Sequence, residues 1–117
     1  MAKTYDLEER TEKFGRNMIK FLKTIKQDTI SKPIISQLVR SATSIGANYR
    51  EANAASSKKD FRNKIHICKK EAQETMYWLV MIVESEPGGK NTARLLWKEA
   101  QEFTFIFGKI VSSLKAV

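Results

Sequence analysis

The sequence of 117 residues has one cysteine, one histidine, two prolines and five glycines. Because Cys68 is alone, an intramolecular disulfide is excluded and a cysteine-based zinc site would lack ligands. His66 by itself offers little for metal binding or for acid–base catalysis. The scarcity of proline and glycine favours long helices. We therefore expect no metal, no cofactor and no enzymatic activity.

Long apolar runs are also missing from the sequence. The longest, Tyr77–Val83, is far below the roughly 20 residues that span a bilayer. Residues 1–15 contain four carboxylates and no apolar segment, so we expect neither a signal peptide nor a transit peptide. Together with the lack of disulfides, these features predict a cytoplasmic protein that does not interact with membranes.

Four stretches of the sequence repeat apolar residues at alternating intervals of three and four, which is typical of helices that bury one face. The first stretch contains Phe14, Met18, Phe21 and Ile25, the second Ile35, Leu38, Ala42, Ile45, Tyr49 and Ala52, the third Phe61, Ile65, Cys68, Ala72, Thr75, Leu79 and Ile82, and the fourth Ala93, Leu96, Ala100, Phe103, Phe107, Ile110 and Leu114. On its apolar stripe, Cys68 is predicted to be an inert buried thiol.

Helix-capping residues divide these stretches. We expect caps at Asp6, Ser31, Ser57 and Asn91. The predicted helices span 7–27, 32–55, 58–85 and 92–115. Because the connections are short, successive helices should be antiparallel, which predicts one up-down-up-down four-helix bundle over residues 1–117.

Two faces outside the apolar stripes predict self-association. On the third helix, residues at heptad spacing form a second stripe that includes a tryptophan, namely Ile67, Glu71, Glu74, Trp78 and Met81. On the second helix, the side away from the apolar stripe has small or amide side chains at Gln37, Ser41, Ser44, Ala47 and Asn48, with Glu51 at the same spacing, whereas a solvated face is usually rich in Lys and Glu. Arg40 and Glu51 are expected to form ion pairs across the contact between two copies. Scattered surface hydrophobes are the alternative explanation.

The charge balance favours a polyanionic partner. Lys and Arg total 21 against 13 Asp and Glu, which gives a net charge of +8. The first half of the third helix carries a one-sided set of cations, Lys58, Lys59, Arg62, Lys69 and Lys70, with Lys64 nearby. Such a strip suits contacts to nucleic-acid phosphates, and an ordinary solvated face is the alternative.

Three motifs stand out in the sequence. The first motif reads Gln37-Leu38-x-Arg40-Ser41-x-x-Ser44-Ile45-x-Ala47-Asn48-x-x-Glu51-Ala52. The second combines Ser57-x-x-Asp60-Phe61 with Lys70-Glu71-Ala72-x-Glu74-Thr75-x-x-Trp78-Leu79. The third is the opening segment Tyr5-Asp6-Leu7-Glu8-Glu9-Arg10-Thr11. Together these motifs resemble those of a known family, the four-helix-bundle proteins encoded in 23S rRNA intervening sequences.

The resemblance implies a small bacterial protein that forms a left-handed antiparallel bundle and assembles as a homopentamer, in a family without an established biochemical activity. A related branch resembles the accessory protein of diversity-generating retroelements, a basic pentamer that engages a reverse transcriptase and nucleic acid. Two functions stay open for this chain. It is a non-enzymatic oligomer that binds RNA or DNA, or a structural ring that recruits a protein partner through exposed apolar residues such as Phe105.

Overall fold

Four α-helices form the chain in the computed structural model, which describes residues 6–114. The helices are α1 at Leu7–Leu22, α2 at Ser31–Asn53, α3 at Lys58–Ser85 and α4 at Lys90–Ser113, with a 3-10 turn at Pro87–Gly89 before α4. No strand occurs between residues 6 and 114, so the all-α four-helix prediction is confirmed. Tyr5 of the opening motif and residue 115, the predicted end of the fourth helix, lie outside the described residues.

Two of the four predicted caps are confirmed. The Asp6 carboxylate accepts a hydrogen bond from the backbone N–H of Glu9 at 3.2 Å, and the Ser57 hydroxyl accepts one from the N–H of Asp60 at 3.0 Å. The cap predicted at Asn91 is wrong, because the preceding 3-10 turn leads directly into α4 at Lys90 and leaves Asn91 inside the helix.

The start of α2 differs from the prediction that Ser31 caps it. Ser31 is the first residue of α2, and its hydroxyl accepts a hydrogen bond from the N–H of Asp28 at 2.9 Å. The Asp28 carboxylate in turn accepts from the N–H of Ser31 at 2.8 Å and from that of Ile30 at 2.9 Å. This reciprocal pair is a capping box, and it lowers the pKa of Asp28.

The first helix ends at Leu22, five residues before its predicted end. Beyond it the chain tightens, because the hydroxyl of Thr24 donates to the Phe21 carbonyl at 2.6 Å and the N–H of Ile25 bonds only three residues back, to Leu22. Ile25 nevertheless stays buried. Because Ile25 is buried, it continues the apolar repeat of α1 beyond Leu22, and this is why the predicted helix was too long.

The predicted apolar stripes meet in a single core. Every residue named for the four stripes is buried or half-buried. The largest fully buried side chains come from all four helices, and they include Met18, Leu38, Ile45, Ile65, Leu79, Phe103 and Phe107. Phe14 packs edge-on against Phe103, with ring centroids 5.4 Å apart. Burial of these stripes is what holds the helices together.

Polar side chains cross the seam between α2 and α3. The hydroxyls of Ser41 and Thr75 lie 2.8 Å apart, and the Thr75 hydroxyl also lies 2.8 Å from the carbonyl of Glu71. One turn away, the guanidinium of Arg40 lies 3.2 Å from the carboxylate of Glu71 and 2.7 Å from that of Glu74. The hydrogen bond from Arg40 lowers the pKa of Glu74. The seam therefore contains an arginine bound by two carboxylates.

The residue numbers paired across this seam run in opposite directions, since Arg40 meets Glu74 and Glu51 meets Lys64 at 2.8 Å. The up-down-up-down order of all four helices, the left-handed twist and the single-domain boundary at 1–117 stay predictions. None of the helices between residues 6 and 114 is long and apolar enough to cross a membrane.

Replacing Arg40 by Ala should destabilise the fold at neutral pH, because the nearly buried Glu71 carboxylate would lose its cation. We expect a loss of about 1–2 kcal/mol in the free energy of unfolding, measured with urea; the value is modest because solvent reaches Arg40. The control is Arg16→Ala, since Arg16 pairs with an exposed carboxylate of Glu12 and should matter little. Equal losses in the two variants would contradict the structural role of Arg40.

The cost of Arg40→Ala should shrink in acid. Glu74 has a folded-state pKa below its ordinary value of 4.5, so its pairing stabilises the fold above that pH and is lost as pH falls through the folded pKa. Urea unfolding of both proteins at a series of pH values should show their stabilities converging below pH 4.5. A gap that stays constant would mean that the ion pair contributes nothing.

Cys68 should be unreactive in the folded protein. It is fully buried, and burial raises the pKa of its thiol to about 12, so almost no nucleophilic thiolate exists at about pH 8. Ellman's reagent should find no thiol in the native protein and one after addition of guanidinium chloride. Rapid labelling of native protein would contradict the buried placement.

Candidate nucleic-acid interface

The predicted cations of α3 lie along its first half. The cap at Ser57 starts the helix at Lys58, so that Lys58, Arg62 and Lys69 fall on one side of it. Lys58 is exposed, whereas Arg62 and Lys69 are half-buried. Lys59 and Lys70 are exposed on the adjoining side. We call these five residues the basic strip.

The basic strip differs from the arginines of α1 and α2 in having no anionic partner. Each of those arginines is within 4 Å of at least one carboxylate, in the pairs Arg10–Glu99, Arg10–Glu102, Arg16–Glu12, Arg40–Glu71, Arg40–Glu74, Arg50–Glu8 and Arg50–Glu12. No residue of the strip forms such a pair with any residue from 6 to 114. The five cations of the strip are therefore free of direct ion pairs with this part of the chain.

Lys64 belongs to the packing of α2 on α3. Its ammonium lies 2.8 Å from the carboxylate of Glu51, and this hydrogen bond raises the pKa of Lys64. Lys64 is thus paired with a carboxylate of α2, unlike the five cations of the basic strip. Glu51, which was expected to pair with a second copy of the chain, has its partner within its own molecule.

A groove between α3 and α4 extends the basic strip onto the neighbouring helix. Lys69 lines it from α3, and Phe105 and Lys109 line it from α4. The Lys69 side chain lies against Gly108, where its Cε and Nζ atoms are 3.8 and 3.9 Å from the position that a Cβ would occupy. The ammonium groups of two helices therefore border one groove beside an aromatic ring.

Sequence reasoning missed Lys109 as part of this site, because Lys109 is distant from the strip along the chain. Phe105 was singled out only as an exposed apolar residue for a protein partner. Its exposure is confirmed, since the residue is 62% exposed. The available signal was the combination of an off-stripe aromatic with a lysine one turn later on the same helix.

Two residues of the predicted oligomer interface lie inside the chain's own fold, which corrects their placement on outer faces. Ser41 is fully buried against Thr75, and Glu71 is 8% exposed beside Arg40. The reason is the broad contact between α2 and α3, which covers the flank of each helix next to the apolar stripe. Arg40, expected to pair across copies, is likewise satisfied within the molecule.

The remaining polar residues predicted for the interface bond within their own helix. The Ser44 hydroxyl donates to the carbonyl of Arg40 at 2.6 Å, and the Asn48 amide donates to the carbonyl of Ser44 at 2.9 Å. The Gln37 amide oxygen accepts from Arg40 at 3.4 Å. These half-buried side chains form a small, weakly charged surface on α2.

The apolar residues predicted for the interface, Ile67, Trp78 and Met81, are half-buried within the single chain. Trp78 packs against the core, and its indole N–H donates to the carboxylate of Glu74 at 3.2 Å. Tyr77 stacks edge-on against Trp78, with ring centroids 4.9 Å apart, and is 56% exposed. The most exposed ring of this face is thus that of Tyr77.

Within residues 6–114, no group of three or more His, Cys, Asp or Glu side chains could hold a metal ion. His66 is exposed and Cys68 is buried, on different sides of α3. The two side chains therefore do not contact each other.

Comparison with known proteins agrees with the motifs. Residues 3–109 match the model of the family described as 23S rRNA-intervening sequence protein. No curated protein matches the sequence. The fold is similar to the crystal structure of a protein of unknown function from the S23 ribosomal protein family of Bacteroides thetaiotaomicron VPI-5482, with 32% sequence identity, 89% of this chain and 96% of that chain covered, and a TM-score of 0.78.

The likeness to the retroelement accessory protein stays a prediction. The predicted motifs and the matched residues agree over nearly the whole length of the chain. The chain belongs to the 23S rRNA-intervening sequence protein family.

Proposed function

We propose that this protein is a non-enzymatic nucleic-acid-binding protein that contacts the phosphates of RNA or DNA through the basic strip. One observation carries the proposal: the five cations of the strip lie together on the first half of α3, and none of them is within 4 Å of a carboxylate among residues 6–114. Unpaired surface cations repel one another, and a polyanion relieves that repulsion. Phosphate contacts of this kind release counterions and are insensitive to base sequence.

RNA is the first polyanion to test, since the family is described by an intervening sequence of 23S rRNA. That description concerns the family and not the binding of any molecule. The net charge of +8 adds a long-range attraction that speeds the encounter with any nucleic acid.

We also propose that the chain works as a homo-oligomer, with the pentamer as the expected state. Five copies would carry about +40 and would repeat the basic strip around a ring, which raises the effective concentration of phosphate contacts. The exposed ring of Tyr77, supported by Trp78 and next to Met81 on α3, favours a contact between copies.

The second candidate function is a structural or adaptor ring that recruits a protein partner. It is favoured by the exposure of Leu95, at 70%, and of Phe105 on α4. In that case the positive charge would serve solubility and not binding.

Replacing Lys58, Arg62 and Lys69 together by Gln should weaken nucleic-acid binding and its salt dependence. If each cation contacts one phosphate, the slope of log affinity against log salt should become shallower by about 2 to 3. The measurement is filter binding of 23S rRNA fragments and of duplex DNA at several salt concentrations.

The control replaces Lys13, Lys20 and Lys23 of the α1 region by Gln. These lysines are exposed and the net charge changes equally, so this variant should keep most of the parent's salt slope. Parent-like binding by the strip variant would mean that the strip is only a solvated face. The adaptor ring would then be the better proposal.

Tyr77→Glu should reduce the molecular mass in solution, because a carboxylate would be buried in the contact between copies. Light scattering at micromolar concentration measures the mass, and circular dichroism checks that the helices remain. Leu95→Glu is the control, since Leu95 is an exposed apolar residue of α4. A monomeric parent protein would rule out assembly.

A further inference from the structure

The groove between α3 and α4 combines an aromatic ring with positive charge and hydrogen-bond donors. Lys69 and Gln73 border it from α3, and Phe105, Lys109 and Ser112 from α4, around an open volume of about 1100 Å³. The lining residues that the structure describes include no carboxylate. An occupant with negative charge and an apolar face would therefore find partners for both.

Phosphate binding in the groove depends on the two ammonium groups. The Lys69 side chain lies against α4 at Gly108, and Lys109 follows Gly108 directly. Neither lysine is within 4 Å of a carboxylate in residues 6–114. A phosphate at this point would accept hydrogen bonds from both ammonium groups, with the hydroxyl of Ser112 nearby.

Base binding depends on Phe105. The residue is 62% exposed, so solvent, and with it a ligand, reaches the side chain. Phe105 lies one helical turn before Gly108, about 5–6 Å along the surface, which is comparable to the separation of base and phosphate in a nucleotide. Flat aromatic rings beside cations are the usual platforms for unpaired bases.

We propose that this groove binds an unpaired nucleotide, with its base stacked on Phe105 and its phosphate between Lys69 and Lys109. The inference rests on the proposed nucleic-acid binding and makes single strands the preferred ligand. A duplex offers phosphates to the basic strip, but its bases are already stacked on one another and cannot reach Phe105.

The probes are a fluorescently labelled oligouridine of about 12 nucleotides and an RNA duplex of equal length, because site sizes for single strands lie in this range. Binding of the full chain is followed by fluorescence anisotropy. Phe105→Ala should weaken binding of the single strand about tenfold and leave duplex binding and the salt slope unchanged. Phe105→Trp should retain the affinity, since an indole also stacks.

The matched control for the ring is Leu95→Ala, which removes an exposed apolar side chain from the same helix and should change neither affinity. Gly108→Glu tests the phosphate position by placing a carboxylate between the two lysines. It should weaken single-strand binding more than Ser36→Glu, which adds the same charge on α2. Circular dichroism of each variant checks the fold.

The outcomes separate this inference from the proposed function. If Phe105→Ala binds the single strand as tightly as the parent does, the inference is overturned and the function of the basic strip is left intact. Equal weakening of single strand and duplex by Phe105→Ala also overturns it, because stacking would not be involved. A parent that binds neither probe overturns the function and the inference together, and favours a protein ligand for Phe105.

Discussion

The carboxylates of this chain are fewer than its cations, and the fold uses them between helices. Arg10 joins α1 to α4 through Glu99 and Glu102, Arg50 joins α2 to α1, and Arg40 joins α2 to α3. Among the described residues, no ion pair crosses the remaining seam, between α3 and α4. The cations of α3 and α4 that border this seam, Lys69 and Lys109 among them, are therefore left without an ion pair in this part of the chain.

These ion pairs orient the helices more than they stabilise them. Most are half exposed, and such pairs contribute little free energy compared with the burial of Phe103, Phe107 and the other core side chains. The pair of Arg40 with Glu71 is different, because Glu71 is nearly buried. Removal of Arg40 would leave this carboxylate without a cation. The carboxylates of Glu51, Glu71 and Glu74 thus form ion pairs in the contact between α2 and α3. The five cations of the basic strip form no such pair among residues 6–114.

The number of helices and the core residues could be predicted from the sequence alone. A helix that buries one face repeats apolar residues every three or four positions, and this repeat is visible in the sequence. The sequence was insufficient wherever the answer depended on a neighbouring helix. A helical wheel places Ser41 and Glu71 outside the apolar stripe, but only the position of α3 against α2 shows that this flank is covered. For the same reason the basic strip could be predicted from α3, whereas its extension to Lys109 could not.

Two of the glycines at helix contacts, Gly46 and Gly108, have different explanations. A Cβ at Gly46 would lie 3.2 Å from the Thr11 hydroxyl, so the close packing of α1 on α2 accounts for that glycine. At Gly108 the nearest atom would be 3.8 Å away, an ordinary contact, so packing would accept alanine there. Glycine inside a helix costs about 1 kcal/mol relative to alanine. A nucleotide bound between Lys69 and Lys109, as proposed above, would approach the α4 backbone at Gly108 without meeting a Cβ.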